Sequence, residues 1–445
     1  MQIHVDGWAW LDVSGWSQSD VVKLQDSLVV VPRQYKDDDS PPKPVYLYRE
    51  EVRDDGVFLG IPRKHPLVER LGTTFTYDVS LGSPIDVKFH GTPRYDQGTA
   101  VEHFVKLFHG KPFEGGILRA RGGWGKTVWA AQLIAAMKMT AMVVVHGGYL
   151  MDQWEERLDQ YLPTARVGRV RQGRCDYAGY DVVIVSIDSL ASDTRVYPEE
   201  LYRWAGLIFS DEVHIIGAQT WAPTIPLFNA AYRVGLSATP RRWDGCAKVF
   251  DLHIGKVEYA SKTKTMDAKI RRCFTNFKIR KRSPLHEDPP DFVVMRQLKK
   301  DPERNDFILD ELHLAIDAGR RIMLFSEYRD HLEMLKAAVD ATRPSSPTAF
   351  FWGGQTREEE AAAKLVQVMF LTYRKASAAL DIPDADSMFL VTPRSDIEQA
   401  YYRVARMKEG KKTPVITDFI DHLVPFLDRK WKARQRFYRS VGALQ

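Results

Sequence analysis

Cysteine is scarce in this 445-residue chain, with only Cys175, Cys246 and Cys273. They are far apart, odd in number and form no CxxC pair. That excludes a disulfide framework, a four-cysteine zinc site and a cysteine-held iron–sulfur cluster. The twelve histidines form no HExxH or comparable cluster. Long apolar runs are lacking too, and none approaches the roughly 20 residues that a membrane helix needs. The start, "MQIHVDGWAW", has no basic region followed by an apolar core, so no secretory signal is read there. A soluble protein of a reducing cytoplasm is expected. Charge of one sign is not in large excess. The formal net charge of +5 is compatible with an anionic partner without requiring one.

What is present is a recurring α/β pattern. "AMVVVH" (141–146), "DVVIVSI" (181–187), "GLIFSDE" (206–212) and "RVGLSAT" (233–239) are short apolar runs separated by helical stretches. The pattern returns after residue 300 in "RIMLFSE" (321–327), "TAFFWGG" (348–354), "VMFLTY" (368–373), "SMFLVTP" (387–393) and "PVITDF" (414–419). Continuous apolar strands alternating with helices predict parallel sheets covered on both faces. Two α/β lobes are expected, preceded by about ninety residues of different character.

"ARGGWGKT" (120–127) follows a short apolar strand and opens a helix, the setting of a phosphate loop. Glycine N–H groups at Gly123 and Gly125 and the helix N-terminus attract phosphate oxygens. Lys126 reaches the terminal phosphates, and Thr127 offers its hydroxyl to Mg²⁺. The strict pattern begins with glycine, and here it begins with Ala120. The run "LIFSDEVH" ends a strand on Asp211 and Glu212, which places both carboxylates in the crevice of such a sheet. Asp211 is read as a holder of Mg²⁺ and Glu212 as the base that orients the attacking water.

With "LSATP" (236–240) following, these motifs resemble helicases of superfamily two. "ARGGWGKT" is similar to motif I, "DEVH" to motif II and Ser237-Ala238-Thr239 to motif III. The segment 206–245 is the most specific part, and it is similar to the phage branch of UvsW-type branch-migration helicases and relatives of XPB. The resemblance implies ATP and Mg²⁺ as cofactors and DNA, forked or branched, as partner. It implies two RecA-like parallel-sheet lobes in tandem with a small N-terminal α+β accessory domain. The divisions expected are 1–90, then 91–260 for the first lobe, 261–290 for a basic linker and 291–445 for the second lobe.

The resemblance also assigns roles. In "PRYDQ", Arg94 and Gln97 would face the adenine. "VHGGYLMDQW" and "SIDSL" would hold the nucleic-acid backbone. His214 couples the ATP site, with Ser237 and Thr239, to Gln399. Asp381, in the stretch similar to motif V, would touch nucleotide. In "DIEQAYYRVAR", Gln399 would lie at the triphosphate and Arg403 and Arg406 would be arginine fingers. The chain departs from the family at Ala378-Ala379, where Glu-Gly is usual, and at Tyr402, where glycine is usual. A tyrosine beside Arg403 is expected to stack, crowd the cleft or slow its closure.

Three features stay open at this level. The basic stretch 261–282 reads as a DNA-contacting linker or edge strand, or as a solvated hinge. Val424, Leu427, Trp431 and Tyr438 predict a C-terminal helix packed by one seam with its basic face in water, DNA contact being the alternative. Trp8, Trp10 and Trp16 fit either an accessory DNA-holding domain or a small core. A DNA-binding or annealing protein with weak ATPase and the motor subunit of a restriction-type complex are the competing readings.

Overall fold

The computed structural model describes residues 1–33, 41–109, 113–192, 194–242, 244–262, 265–280, 289–373, 382 and 384–444. The chain divides into two compact units, Met1–Thr263 and Lys264–Gln445.

The larger sheet of the first unit has eight strands. Their spatial order is Arg174–Cys175, Val167–Arg171, Val182–Ser186, Ala141–Val145, Leu207–Asp211, Tyr232–Ser237, Gly115–Arg119 and Val257–Ala260. Every neighbouring pair is parallel except the first. The strand Ala141–Val145 shows why the sequence runs are unbroken. Ala141, Val143 and Val145 enter one core with Phe104, Trp129 and Leu133. Met142 and Val144 enter another with Leu201, Ile216 and Phe250. Side chains alternate across a strand, so a strand covered on both faces is apolar at every position. Between Gly115–Arg119 and Ala141–Val145, which are consecutive in the chain, lie Leu207–Asp211 and Tyr232–Ser237. Such an order opens a crevice at the carboxyl ends of these strands.

The N-terminal residues form a five-stranded sheet in the order Arg49–Arg53, Gly56–Ile61, Ala9–Asp12, Gln2–Val5 and Thr74–Tyr77. Its core takes in Ala222, Cys246 and Val249 from beyond it, so this sheet packs as part of the first unit. The tryptophans are packing groups. Trp10 is buried with the Arg53 guanidinium 4.8 Å from its ring centre, Trp16 lies against the core, and Trp8 meets His253 edge-on at 5.2 Å.

The second unit is a six-stranded sheet, parallel throughout. Its order is Lys269–Phe274, Val415–Ile420, Ser387–Leu390, Ile322–Ser326, Val368–Thr372 and Thr348–Phe351. Each apolar run singled out above contains a strand. The basic stretch supplies the edge strand Lys269–Phe274, and Arg271 pairs with Glu311. Alternating charge on an edge strand discourages pairing with other chains.

The C-terminal helix Pro425–Ser440 buries Leu427, Trp431 and Tyr438, as its seam predicts. The basic residues are not all in water, however. Arg434 falls on the same seam and is 1% exposed. Its Nε and Nη2 donate to the two oxygens of Asp418, each at 2.8 Å, and Tyr438 Oη donates to the same carboxylate at 3.0 Å. A buried charge pair persists where the geometry is bidentate and the remaining lone pairs are met.

His331 gives this unit a pH-dependent stability. It is buried between Ser326 Oγ, 3.2 Å from Nδ1, and Asn305 Oδ1, 3.0 Å from Nε2. Burial, helped by the nearby Arg304, pushes the imidazole down to about 3. The unfolded chain takes up this proton near the ordinary histidine value, while the folded chain resists until about 3. Stability is therefore full above the ordinary value and falls as pH drops toward the folded one. The slope from this group is about 1.4 kcal/mol per pH unit. His331→Gln is expected to remove one proton's worth of slope from denaturation curves taken between neutral pH and pH about 5. An unchanged slope in the variant contradicts this reading.

Candidate nucleotide site

The loop after Gly115–Arg119 is shaped by two left-handed glycines, Gly123 with φ 82° and Gly125 with φ 92°. Only glycine adopts this conformation without steric cost. At Gly125 a Cβ would also lie 2.7 Å from Gln97 Nε2. The helix Lys126–Met137 starts immediately, with Gly125 as its cap and no side chain capping its first turn. Its free N–H groups and dipole form an anion seat.

Three neighbours hold this loop from below, and the sequence reading did not assign them that task. Trp124, within the loop, is 2% exposed, and its indole Nε1 donates to Asp96 Oδ1 at 2.7 Å. Asp96 also accepts from Tyr259 Oη and from the Lys262 backbone, each at 3.1 Å, which ties the loop to the exit of the edge strand Val257–Ala260. Gln97 is 1% exposed and donates from Nε2 to Trp124 O at 2.8 Å and Gly125 O at 3.2 Å. Its Oε1 accepts from Arg94 N at 2.8 Å and from Gln132 Nε2 at 3.2 Å. Gln97 therefore supports the loop backbone, with both ends of its carboxamide engaged by the protein. The Arg94 side chain is exposed.

The acidic pair stands at the end of Leu207–Asp211. Glu212 is in the left-handed region at φ 47°, unusual for a residue with a side chain. Such strain, about 1–3 kcal/mol, persists where surrounding structure enforces it and recurs at working sites. Glu212 Oε1 lies 3.7 Å from Lys126 Nζ, so the loop and the strand end share one charge cluster. Asp211 keeps part of its surface open, but its carboxylate lies beside Trp154, Glu212 and Lys126. Burial, and next the charge of Glu212, pushes it up to about 6. Trp154 Nε1 donates to Asp211 Oδ2 at 2.8 Å and opposes that rise. Trp154 belongs to "VHGGYLMDQW", read as a nucleic-acid grip, yet its indole is a clamp on the acid.

His214 Nδ1 sits 3.4 Å from Glu212 Oε2 and 3.2 Å from Ser237 Oγ. Ser237 Oγ accepts from Thr239 N at 3.1 Å, and Ser237 O accepts from Ala120 N at 3.0 Å. Motifs I, II and III are thus one hydrogen-bonded group across three strand ends. Thr127 is half-buried in the first turn of the loop helix. The donors gathered here are carboxylates and a hydroxyl, with a crowded acid pair that a cation relieves. That set fits Mg²⁺, a hard ion that takes one or two carboxylates and completes its shell with water and substrate phosphates.

In the second unit, Gln399 and Arg403 lie one turn apart on the helix Glu398–Val404, and Arg406 follows just beyond its end. All three are half-buried, on the side away from the buried Tyr401, Tyr402 and Val404. Tyr402 is a packing residue of this unit. It is 4% exposed and packs in the core, edge-on to Tyr401 at 5.3 Å and to Phe437 at 6.1 Å. Its ring is packed inside the second unit, next to Arg403 in the chain. Asp381, with Ala378 and Ala379, lies outside the described residues.

Residues 90–242 match the family model described as "Type III restriction enzyme, res subunit". A protein of Acanthamoeba polyphaga mimivirus, L396, provisionally named an ATP-dependent RNA helicase, is 24% identical over 438 residues. That match spans 94% of this chain and 82% of the viral protein. In sequence the chain is similar to helicases and translocases of superfamily two. The DNA 3'-5' translocase XPB2 of Sulfurisphaera tokodaii is 27% identical over 234 residues, 46% of this chain and 52% of that protein. Among solved structures, S. cerevisiae Dbp5 bound to RNA and ADP BeF3 overlaps 80% of this chain and 89% of its own, with TM-score 0.56 and 12% identity. That likeness shows the fold, with each parallel sheet a RecA-like lobe. No helix among the described residues is long and apolar enough to cross a membrane.

Proposed function

We propose that this protein hydrolyses ATP to move along DNA, unwinding or branch-migrating forks and junctions. The observation that carries the reading is the bonded group at three adjacent strand ends, where Gly123, Gly125 and Lys126 meet Glu212, His214 and Ser237. Mg²⁺, when bound with Thr127 and Asp211, supplies positive charge to the phosphate oxygens. Lys126 binds the terminal phosphates, and the loop N–H groups orient them. Glu212 accepts a proton from the attacking water, its position set by the left-handed turn and by His214. The resemblance assigns Gln399, Arg403 and Arg406 the task of adding donors and positive charge as charge shifts onto the leaving phosphate. The proposal takes DNA from the resemblance of segment 206–245 to UvsW-type and XPB-related helicases; of the relatives, XPB2 is named a DNA translocase and L396 an RNA helicase. Strand displacement on a DNA fork, a four-way DNA junction and an RNA fork of the same sequence tests this. ATP-dependent product from the DNA substrates is expected, and product from the RNA fork alone overturns the choice of nucleic acid. A second reading, a motor within a restriction-type complex, is favoured by the family model that residues 90–242 match. That reading predicts ATP turnover without strand separation.

The Trp154 clamp yields a prediction about pH. The indole bond lowers the affinity of Asp211 for its proton, so Trp154→Phe raises it further. Asp211 acts ionised, and the acid limb of kcat/KM is expected to move to higher pH in the variant. A limb that stays in place contradicts the clamp.

A further inference from the structure

The first unit contains a second concentration of charge that the nucleotide site does not use. Arg63, Arg233 and His253 are 2%, 3% and 2% exposed. They lie close together where the N-terminal sheet packs on the rest of the unit. Arg63 Nη1 donates to Ala230 O at 2.6 Å. Arg233 Nη1 donates to His253 O at 3.2 Å, and its Nη2 donates to Phe228 O at 2.8 Å and to Gly7 O at 3.0 Å. The ring closes through the backbone, since Lys64 N donates to Leu252 O at 2.9 Å, beside both Arg63 and His253. Trp8 covers His253 edge-on.

These side chains keep unspent polar atoms. Arg63 Nε and Nη2, Arg233 Nε and His253 Nδ1 are buried without a hydrogen-bond partner among the described residues. Neither arginine has an ion pair among the described residues. The acid whose field reaches both is Asp6, and its Oδ1 is engaged by Trp8 N at 2.7 Å and Trp10 Nε1 at 2.9 Å. Two guanidinium groups taken out of water with carbonyl dipoles as their acceptors are undercompensated. A neutral water would accept the spare N–H groups but leave the charge in place. An anion satisfies both needs.

We propose that Arg63, Arg233 and His253 form a binding site for a small inorganic anion of chloride size, buried between the N-terminal sheet and the eight-stranded sheet. The arginines donate from Nε and Nη2, and His253 donates from Nδ1 in the tautomer that carries its proton there. The burial of all three groups limits the occupant to a halide-sized ion and excludes nucleotide or nucleic-acid phosphates. The ion fastens the N-terminal sheet to the first lobe, so its loss loosens that sheet without touching Lys126 or Glu212.

Crystals of the full chain grown in sodium bromide test the site directly. An anomalous peak within hydrogen-bonding reach of Arg63 Nη2 and Arg233 Nε is expected. Water there without anomalous signal, or Asp6 turned in to pair the arginines, overturns the proposal. Thermal melting at constant ionic strength gives a second reading. Replacing gluconate by chloride is expected to raise the midpoint saturably, by about 2 to 4 °C, and Arg63→Gln is expected to abolish the rise. Equal midpoints of the wild type in the two salts overturn it. An equal rise in Arg63→Gln also overturns it, and if that variant does not fold the bromide crystals alone decide.

Discussion

Lys126→Ala is expected to reduce ATP turnover by about a hundred- to a thousandfold while the protein stays folded. The ammonium is 3.7 Å from Glu212 and opens the helix whose N-terminus faces the loop. Its pairing with Glu212 is a partly exposed contact, 14% and 25% by side chain, so its loss costs little stability. Its loss does remove the fixed positive charge against which the terminal phosphates build negative charge. Oligonucleotide binding, carried by other surfaces, is expected to survive. Steady-state phosphate release together with a melting curve checks both halves. Turnover equal to wild type rejects the site, and an unfolded variant rejects the view that Lys126 serves nucleotide alone.

Tyr402→Gly is expected to destabilise the second unit by about 4 to 6 kcal/mol. Removing a large buried aromatic costs about 3–5 kcal/mol, and glycine within a helix adds about 1. Read beside Arg403 in the sequence, the tyrosine invites the opposite expectation, that glycine restores a family feature and speeds hydrolysis. Its place between Tyr401 and Phe437 decides against that. Helix Glu398–Val404 carries Gln399 and Arg403 on one side and is held to the C-terminal helix by these rings on the other. Loss of the packing is therefore expected to lower turnover as well. Denaturant unfolding, with turnover measured on the same preparation, tests this. A variant as stable as wild type and faster contradicts it.

Tyr402 illustrates where the sequence is silent. Strands in both parallel sheets were legible because burial on two faces leaves an unbroken apolar run. The loop and the acidic pair were legible because phosphate chemistry demands particular residues at particular spacings, and Ser237 was reached through the resemblance to helicase motif III. Trp154, Trp124 and Asp96 were not, because their tasks arise only when distant segments meet. Nothing in "LMDQW" announces that its indole will reach Asp211, 57 positions on. The place of Arg434 is hidden for a related reason. A basic residue in a basic run looks solvated until the strand Val415–Ile420 brings Asp418 beneath it. Gln97 was placed in the right neighbourhood, but its partners, backbone carbonyls of the loop, leave no mark in a sequence.

The most direct test of the account is phosphate release by the full-length protein with ATP and Mg²⁺, alone and with single-stranded, duplex and branched DNA. The account predicts slow turnover without DNA, a rise of at least about tenfold with DNA, and the loss of both in Lys126→Ala and Glu212→Gln. Turnover that DNA leaves unchanged, or that persists in Glu212→Gln, contradicts it.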